Sequence, residues 1–143
     1  MKLTDTFDIS VFAYSDTAKR LGIDNTPPPG AIANLEALYH KLIAPLMAIL
    51  PGEFNVTSGY RCDKLNAKVK GKPTSQHTKG QAADIEYFSD GVEKNQVLYE
   101  TVIESGLDFD QCIKEFHDSH GNPRWIHLSY NEGHNRRMAF TIT

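Results

Sequence analysis

The sequence predicts an α+β domain, a small antiparallel sheet with helices packed against it. Two patterns carry this. Ile32, Leu35, Leu38, Tyr39, Leu42, Ile43 and Leu46 recur at spacings of three and four, the apolar stripe of an amphipathic helix. Shorter runs at 54–58, 82–88 and 125–130 are rich in apolar and β-branched residues, and the first and last alternate with period two, as strands do. A third observation is that the 143 residues contain no repeat, no low-complexity tract and no long linker, so 1–143 is expected to be one domain. That length suffices to bury a core without disulfide staples.

In chain order, Phe7, Ile9, Val11 and Phe12 open in a roughly alternating pattern. Ser15-Asp16 can cap a short helix through Leu21, which Gly22 would end. The stretch 25–30, with three consecutive prolines, reads as a rigid connector packed on the surface. The amphipathic helix follows, and Pro45 is expected to kink or weaken its last turn. After Pro51-Gly52 the strand through Phe54 and Val56 runs into Ser58-Gly59-Tyr60-Arg61, and a short helix is expected from Asp63 to Val69. Lys68, Lys70 and Lys72 read as a solvated loop, with contact to an anionic polymer as the weaker alternative. After the strand 82–88, the run 89–93 reads as a helix start, Asp90 and Glu93 forming a capping box. That helix would bury Val92, Leu98, Tyr99, Val102 and Ile103 and stop at Ser105-Gly106. Residues 110–116, 125–130 and 138–143 read as strands, the first two joined by a polar turn.

Composition excludes several classes. Hydrophobic residues make up 40% and charged residues 23%, as in soluble globular proteins. A net charge of -3 offers no basic surface for nucleic acid. No apolar run approaches a membrane span. Met1-Lys2-Leu3-Thr4-Asp5 carries no apolar signal-peptide core, so synthesis in a cytoplasm is expected. Cys62 and Cys112 lack the short paired spacing of a thiolate zinc site and are expected to be free, inert thiols.

The chemistry concentrates in Ser75-Gln76-His77-Thr78-Lys79-Gly80-Gln81-Ala82-Ala83-Asp84-Ile85. Gly80 allows a turn of positive φ that brings His77 back towards Asp84. A carboxylate between Ala83 and Ile85 in a strand is costly unless paired or bound to a metal. His127, flanked by Ile126 and Leu128, is the natural third ligand. Two histidines and one aspartate leave a tetrahedral position open, the pattern of a catalytic zinc site.

These residues resemble the zinc peptidases that include D-alanyl-D-alanine carboxypeptidases and phage endolysin L-alanyl-D-glutamate endopeptidases, in particular a small phage and prophage branch. Their fold is shared with the Hedgehog signalling domain. Three blocks carry the likeness: Ser58-Gly59-Tyr60-Arg61, then Ser75-x-His77-x-x-Gly80-x-Ala82-x-Asp84, then Trp125-Ile126-His127. The leading segments 7–25 and 32–46 extend it over nearly the whole chain. The resemblance implies one zinc ion on His77, Asp84 and His127, and Arg61 pointing into the site to stabilise an oxyanion. Ser75 would bind substrate or brace the ligand loop, and Tyr60 and Trp125 are further substrate-binding candidates. Better-known members carry a glutamate general base three residues before the last histidine, where this chain has Arg124. The branch it resembles places a glutamate on the preceding strand, matched by Glu115, with His117 in reserve. The expected function is hydrolysis of an amide bond in peptidoglycan stem peptides by a monomer, with no nucleic-acid or membrane partner. It would serve phage or prophage lysis, reaching the wall through a holin or as a virion component. The alternative is a non-catalytic zinc-containing binding or virion structural module of the same fold.

Overall fold

The computed structural model describes residues 1–143. Six helices and six strands follow one another as α1 (Ile9–Ala13), α2 (Asp16–Leu21), α3 (Pro29–Leu38), α4 (Ala44–Ile49), β1 (Glu53–Ser58), α5 (Asp63–Lys68), β2 (Ala82–Ser89), β3 (Val92–Glu93), α6 (Asn95–Glu104), β4 (Gln111–Glu115), β5 (Trp125–Ser129) and β6 (Met138–Ile142). The sheet runs β1-β2-β5-β4-β6, with β3 folded onto the end of β2. Each pair is antiparallel except β4–β6, which is parallel. The sheet is therefore mixed rather than purely antiparallel. The chain after β5 crosses over and enters beside β4 in the same direction.

The helical layer and one sheet face share a single core. Leu35, Leu38, Leu42, Leu98 and Val102 pack with Phe54, Val56, Ala83, Ile85, Cys112, Ile126 and Leu128. Side chains alternate across a strand, so Asp84, His127 and Glu115 project from the other face. The amphipathic stretch is one continuous helical rod with a widened π-turn at Tyr39–Ile43 between α3 and α4. Ala44 N–H reaches back five residues to the carbonyl of Tyr39. Pro45 has no N–H to donate and its ring would crowd the carbonyl of Lys41, and a π-turn just ahead of it relieves that crowding. The expected disturbance at Pro45 is thus a local widening within a rod that keeps Leu42, Ile43 and Leu46 buried.

Two local readings change. Residues 9–13 form the short helix α1, its N-terminus capped by Asp8, so the alternation around Phe7–Phe12 is not a strand. Residues 89–93 form a hairpin turn. Asp90 (φ 51°) and Gly91 (φ 74°) both adopt left-handed backbone, the geometry that an Asp-Gly pair favours between two strands. Glu93 caps no turn at Asp90. It accepts from the backbone N–H of Asn95 and from the Asn95 side chain, and Val92 is exposed outside the helix.

Asn95 is fully buried and ties three segments together. Its Oδ1 accepts from Tyr87 N–H at 2.7 Å, and its Nδ2 donates to the carbonyls of Pro123 and Arg124 at 2.9 and 3.0 Å. These bonds join β2, α6 and the loop ahead of β5. Asn95→Ala would leave several buried polar groups unpaired, and we expect urea denaturation to show a loss of about 2–4 kcal/mol.

Candidate metal centre

The centre is assembled by one cross-strand pair and one tight turn. His127 on β5 lies directly opposite Asp84 on β2, which puts both side chains on the face away from the helices. His127 Nδ1 stands 3.1 Å from Asp84 Oδ1. His77 sits in a short 3₁₀ turn, Gln76–Lys79, that begins at Ser75 and ends at Gly80 (φ 74°). Its Nε2 stands 3.3 Å from the same Asp84 oxygen. Gly80 is required twice over. Its backbone is left-handed, and a Cβ there would lie 2.4 Å from the carbonyl oxygen of Ala31 in α3.

His77 also has its tautomer set. Its Nδ1 is 2.7 Å from the carbonyl oxygen of Gly59. A carbonyl can only accept, so Nδ1 carries a proton and Nε2 is the nitrogen that faces Asp84. The backbone answers with Arg61 N–H donating to the carbonyl of His77 at 3.0 Å. The Ser58–Arg61 segment and the ligand turn are thus locked together.

His77, Asp84 and His127 are all buried, with one donor atom of each within 4.8 Å of the others. Bonds of about 2.0–2.1 Å to a tetrahedral ion separate neighbouring donors by roughly 3.3 Å. The 3.1 and 3.3 Å spacings match that edge, so the residues fit a zinc-sized ion. Burial alone would raise the pKa of Asp84, but the charge of His77 and the hydrogen bonds and charge of both histidines outweigh it and hold the carboxyl well below the usual range.

Glu115 lies opposite Trp125 on the β4–β5 ladder, on the same face as His127. Its Oε1 is 3.9 Å from His127 Nδ1. Burial and the neighbouring charge of Asp84 push its pKa up, against the opposing effects of His127 and Trp125. Arg61 is the cation of the site. Its Nε donates to Ser58 Oγ and its Nη1 to Asn66 Oδ1, while Nη2 lies 3.9 Å from Asp84 Oδ2. Burial lowers its pKa, and Asp84 and Glu115 oppose that.

The remaining candidates divide. Ser75 accepts from the backbone N–H of His77 at 3.2 Å and so braces the ligand turn. Tyr60 is mostly packed into the core and shows only an edge to the cleft. Trp125 donates its indole N–H to Glu115. His117 lies exposed beyond β4, which stops when Phe116 turns to φ 51°, so it does not continue Glu115's face as the reserve reading required. Cys62 and Cys112 are free thiols, and burial pushes Cys112 up to about 12. Lys68, Lys70 and Lys72 are exposed, as a solvated loop would be. A cleft of about 970 Å³ opens beside the centre, bordered by Ser58, Tyr60, Arg61, Asp84, Arg124 and Trp125.

Sequence reasoning missed two supports. Asn66 holds Arg61 and donates to the carbonyl of Lys72. Asp110, fully buried, accepts from Gln76 Nε2 at 2.6 Å and from Arg136 N–H, Nε and Nη2 at 2.9 Å each, tying the ligand turn to the segment ahead of β6. Neither side chain stands in a motif, and no local pattern marks a long-range contact.

Loss of any ligand should abolish stoichiometric metal. We expect elemental analysis to find one equivalent of zinc in wild type and none in His77→Ala or His127→Ala. Asp110 adds a pH dependence. The Arg136 hydrogen bonds, against the effect of burial, hold its carboxyl below the ordinary range. A folded pKa below the unfolded one stabilises above the unfolded value, about 3.9, and that stability is lost as pH falls through the folded value. Thermal melts should therefore show Asp110→Asn destabilised at neutral pH, with the gap to wild type closing in acid.

A family model described as Peptidase M15 matches residues 5–129, which includes every residue of the centre. No curated protein matches the chain in a sequence comparison. Peptidases of that family are zinc-dependent and act on peptidoglycan peptides, and the buried His77, Asp84 and His127 supply a group that could hold the ion. With this match over most of its length, the chain belongs to the peptidase M15 family.

Proposed function

We propose that the protein is a zinc-dependent hydrolase of an amide bond in peptidoglycan stem peptides, of the D-Ala-D-Ala carboxypeptidase or L-Ala-D-Glu endopeptidase type. The observation that carries this is the position of Glu115, a half-buried carboxylate with raised pKa whose Oε1 lies 3.9 Å from the metal-facing nitrogen of His127. A binding module needs a metal cage, but it does not need a proton acceptor at that place.

His77, Asp84 and His127 would hold the ion, which when bound supplies Lewis acidity towards the scissile carbonyl and acidifies water. Glu115 takes the proton of the attacking water at Oε1 and returns it to the leaving amine. Burial and the Asp84 charge push its pKa upward, the direction that favours a proton acceptor able to give the proton back. Arg61, held by Ser58 and Asn66, presents its guanidinium to the oxyanion that forms on the substrate. The cleft beyond Asp84 receives the peptide. In the cell we place this activity in phage or prophage lysis, acting on the wall after holin release or from the virion.

Mass spectrometry of muropeptides from purified sacculi tests the reading. Zinc-loaded protein should release either terminal D-Ala or the products of a cut after L-Ala, and the two outcomes differ in mass. Glu115→Gln should keep its zinc and lose activity by about a hundred- to ten-thousandfold. Stoichiometric zinc with no product from wild type would favour the non-catalytic module instead.

A further inference from the structure

Trp125 entered the sequence reading as a residue that binds substrate. Its contacts point to a further task. The indole Nε1–H donates to Glu115 Oε2 at 2.9 Å. An indole nitrogen is a donor only, so it holds an acceptor without competing for protons. The bond engages one carboxylate oxygen and leaves the other, Oε1, turned towards His127.

The backbone around Glu115 is clamped as well. Its carbonyl accepts from Arg124 N–H at 3.1 Å, and the next residue, Phe116, donates its N–H to the carbonyl of Ile142 at 3.0 Å. Phe116 adopts φ 51°, a conformation that bulky side chains rarely take and that persists only where the surroundings impose it. In that conformation its ring packs on Trp125, with centroids 5.4 Å apart. The indole is thus held between the Phe116 ring and the Glu115 carboxylate, at the end of the β4–β5 ladder.

We propose that Trp125 is a positioning residue for Glu115. Its indole N–H fixes the carboxylate rotamer so that Oε1 faces the centre, and Phe116 buttresses the indole from outside. The inference rests on the hydrolase reading for its consequence in turnover, though not for the contact itself.

The chain has a single tryptophan, which makes the contact directly observable. Zinc-loaded, nitrogen-15-labelled wild type should show one indole N–H cross-peak, moved downfield by its carboxylate partner, and Glu115→Ala should shift it upfield. Trp125→Phe keeps an aromatic ring against Phe116 and removes the donor together with part of the indole's bulk. It should bind zinc as wild type does and lower kcat about ten- to a hundredfold with KM nearly unchanged, the scale of a misplaced catalytic group. In a Glu115→Ala background, measured by single turnover at high enzyme concentration, Trp125→Phe should cost nothing further. An unmoved cross-peak, a raised KM at constant kcat, or an undiminished loss in the Glu115→Ala background would each overturn the proposal. If zinc-loaded wild type turns over no substrate, the hydrolase reading falls, and the cross-peak still decides whether the contact exists.

Discussion

The Asp84 carboxylate is the constraint around which this structure is organised. It is buried in the middle of the sheet, and an ionised carboxylate there is tolerable only with compensating partners. Each partner arrives by a different structural route. Strand register delivers His127, the 3₁₀ turn delivers His77, and the loop after β1 delivers the Arg61 guanidinium. The ladder between β2 and β5 cannot slip by one residue without turning Asp84 into the apolar core and exposing Ile85. The same register that buries the core face therefore aligns the donor atoms on the other.

Two of the core-packed helices also reach into the centre by backbone contact. α1 presses on Gly59, where a Cβ would stand 2.2 Å from the carbonyl oxygen of Phe12, and α3 presses on Gly80. Tyr60 N–H donates to that Phe12 carbonyl at 2.7 Å. Both glycines sit in segments that hold His77, one through its carbonyl and the other by closing the turn. Packing of the amphipathic rod is thus transmitted to His77 by backbone contact, with no side chain between. This explains how short turns rich in polar residues can be as well placed as the strands they connect.

Much of this was legible in the chain. His77, Gly80, Asp84 and His127 could be read because burial of a charged group in an apolar strand and a glycine turn both leave local marks. Helices α2 and α5 and strands β1, β2, β4, β5 and β6 followed from caps and periodicity. What escaped had physical causes. The Asp90-Gly91 turn carried two compatible local codes, and the tight left-handed turn that lets β3 pair with β2 overrode the capping box. The parallel entry of β6 and the Asp110–Gln76–Arg136 tie join residues distant in sequence, which no window of neighbours encodes. Trp125 borders the cleft, but its partner Glu115 depends on the β4–β5 register, which sequence leaves open.

The carboxylate beside the centre comes from β4, whereas the histidine it approaches is on β5. Its distance from His127 Nδ1 is therefore governed by the spacing and twist of two hydrogen-bonded strands, a collective property of the sheet. A glutamate on the histidine's own strand would instead depend on the pitch of that one strand and on a long side chain. Handing the carboxylate to the neighbour also frees position 124, where Arg124 now borders the cleft. Position 124 thus puts a cation among the acidic Asp16, Glu86, Glu93 and Asp118 that also border the cleft, while the centre keeps its carboxylate from β4.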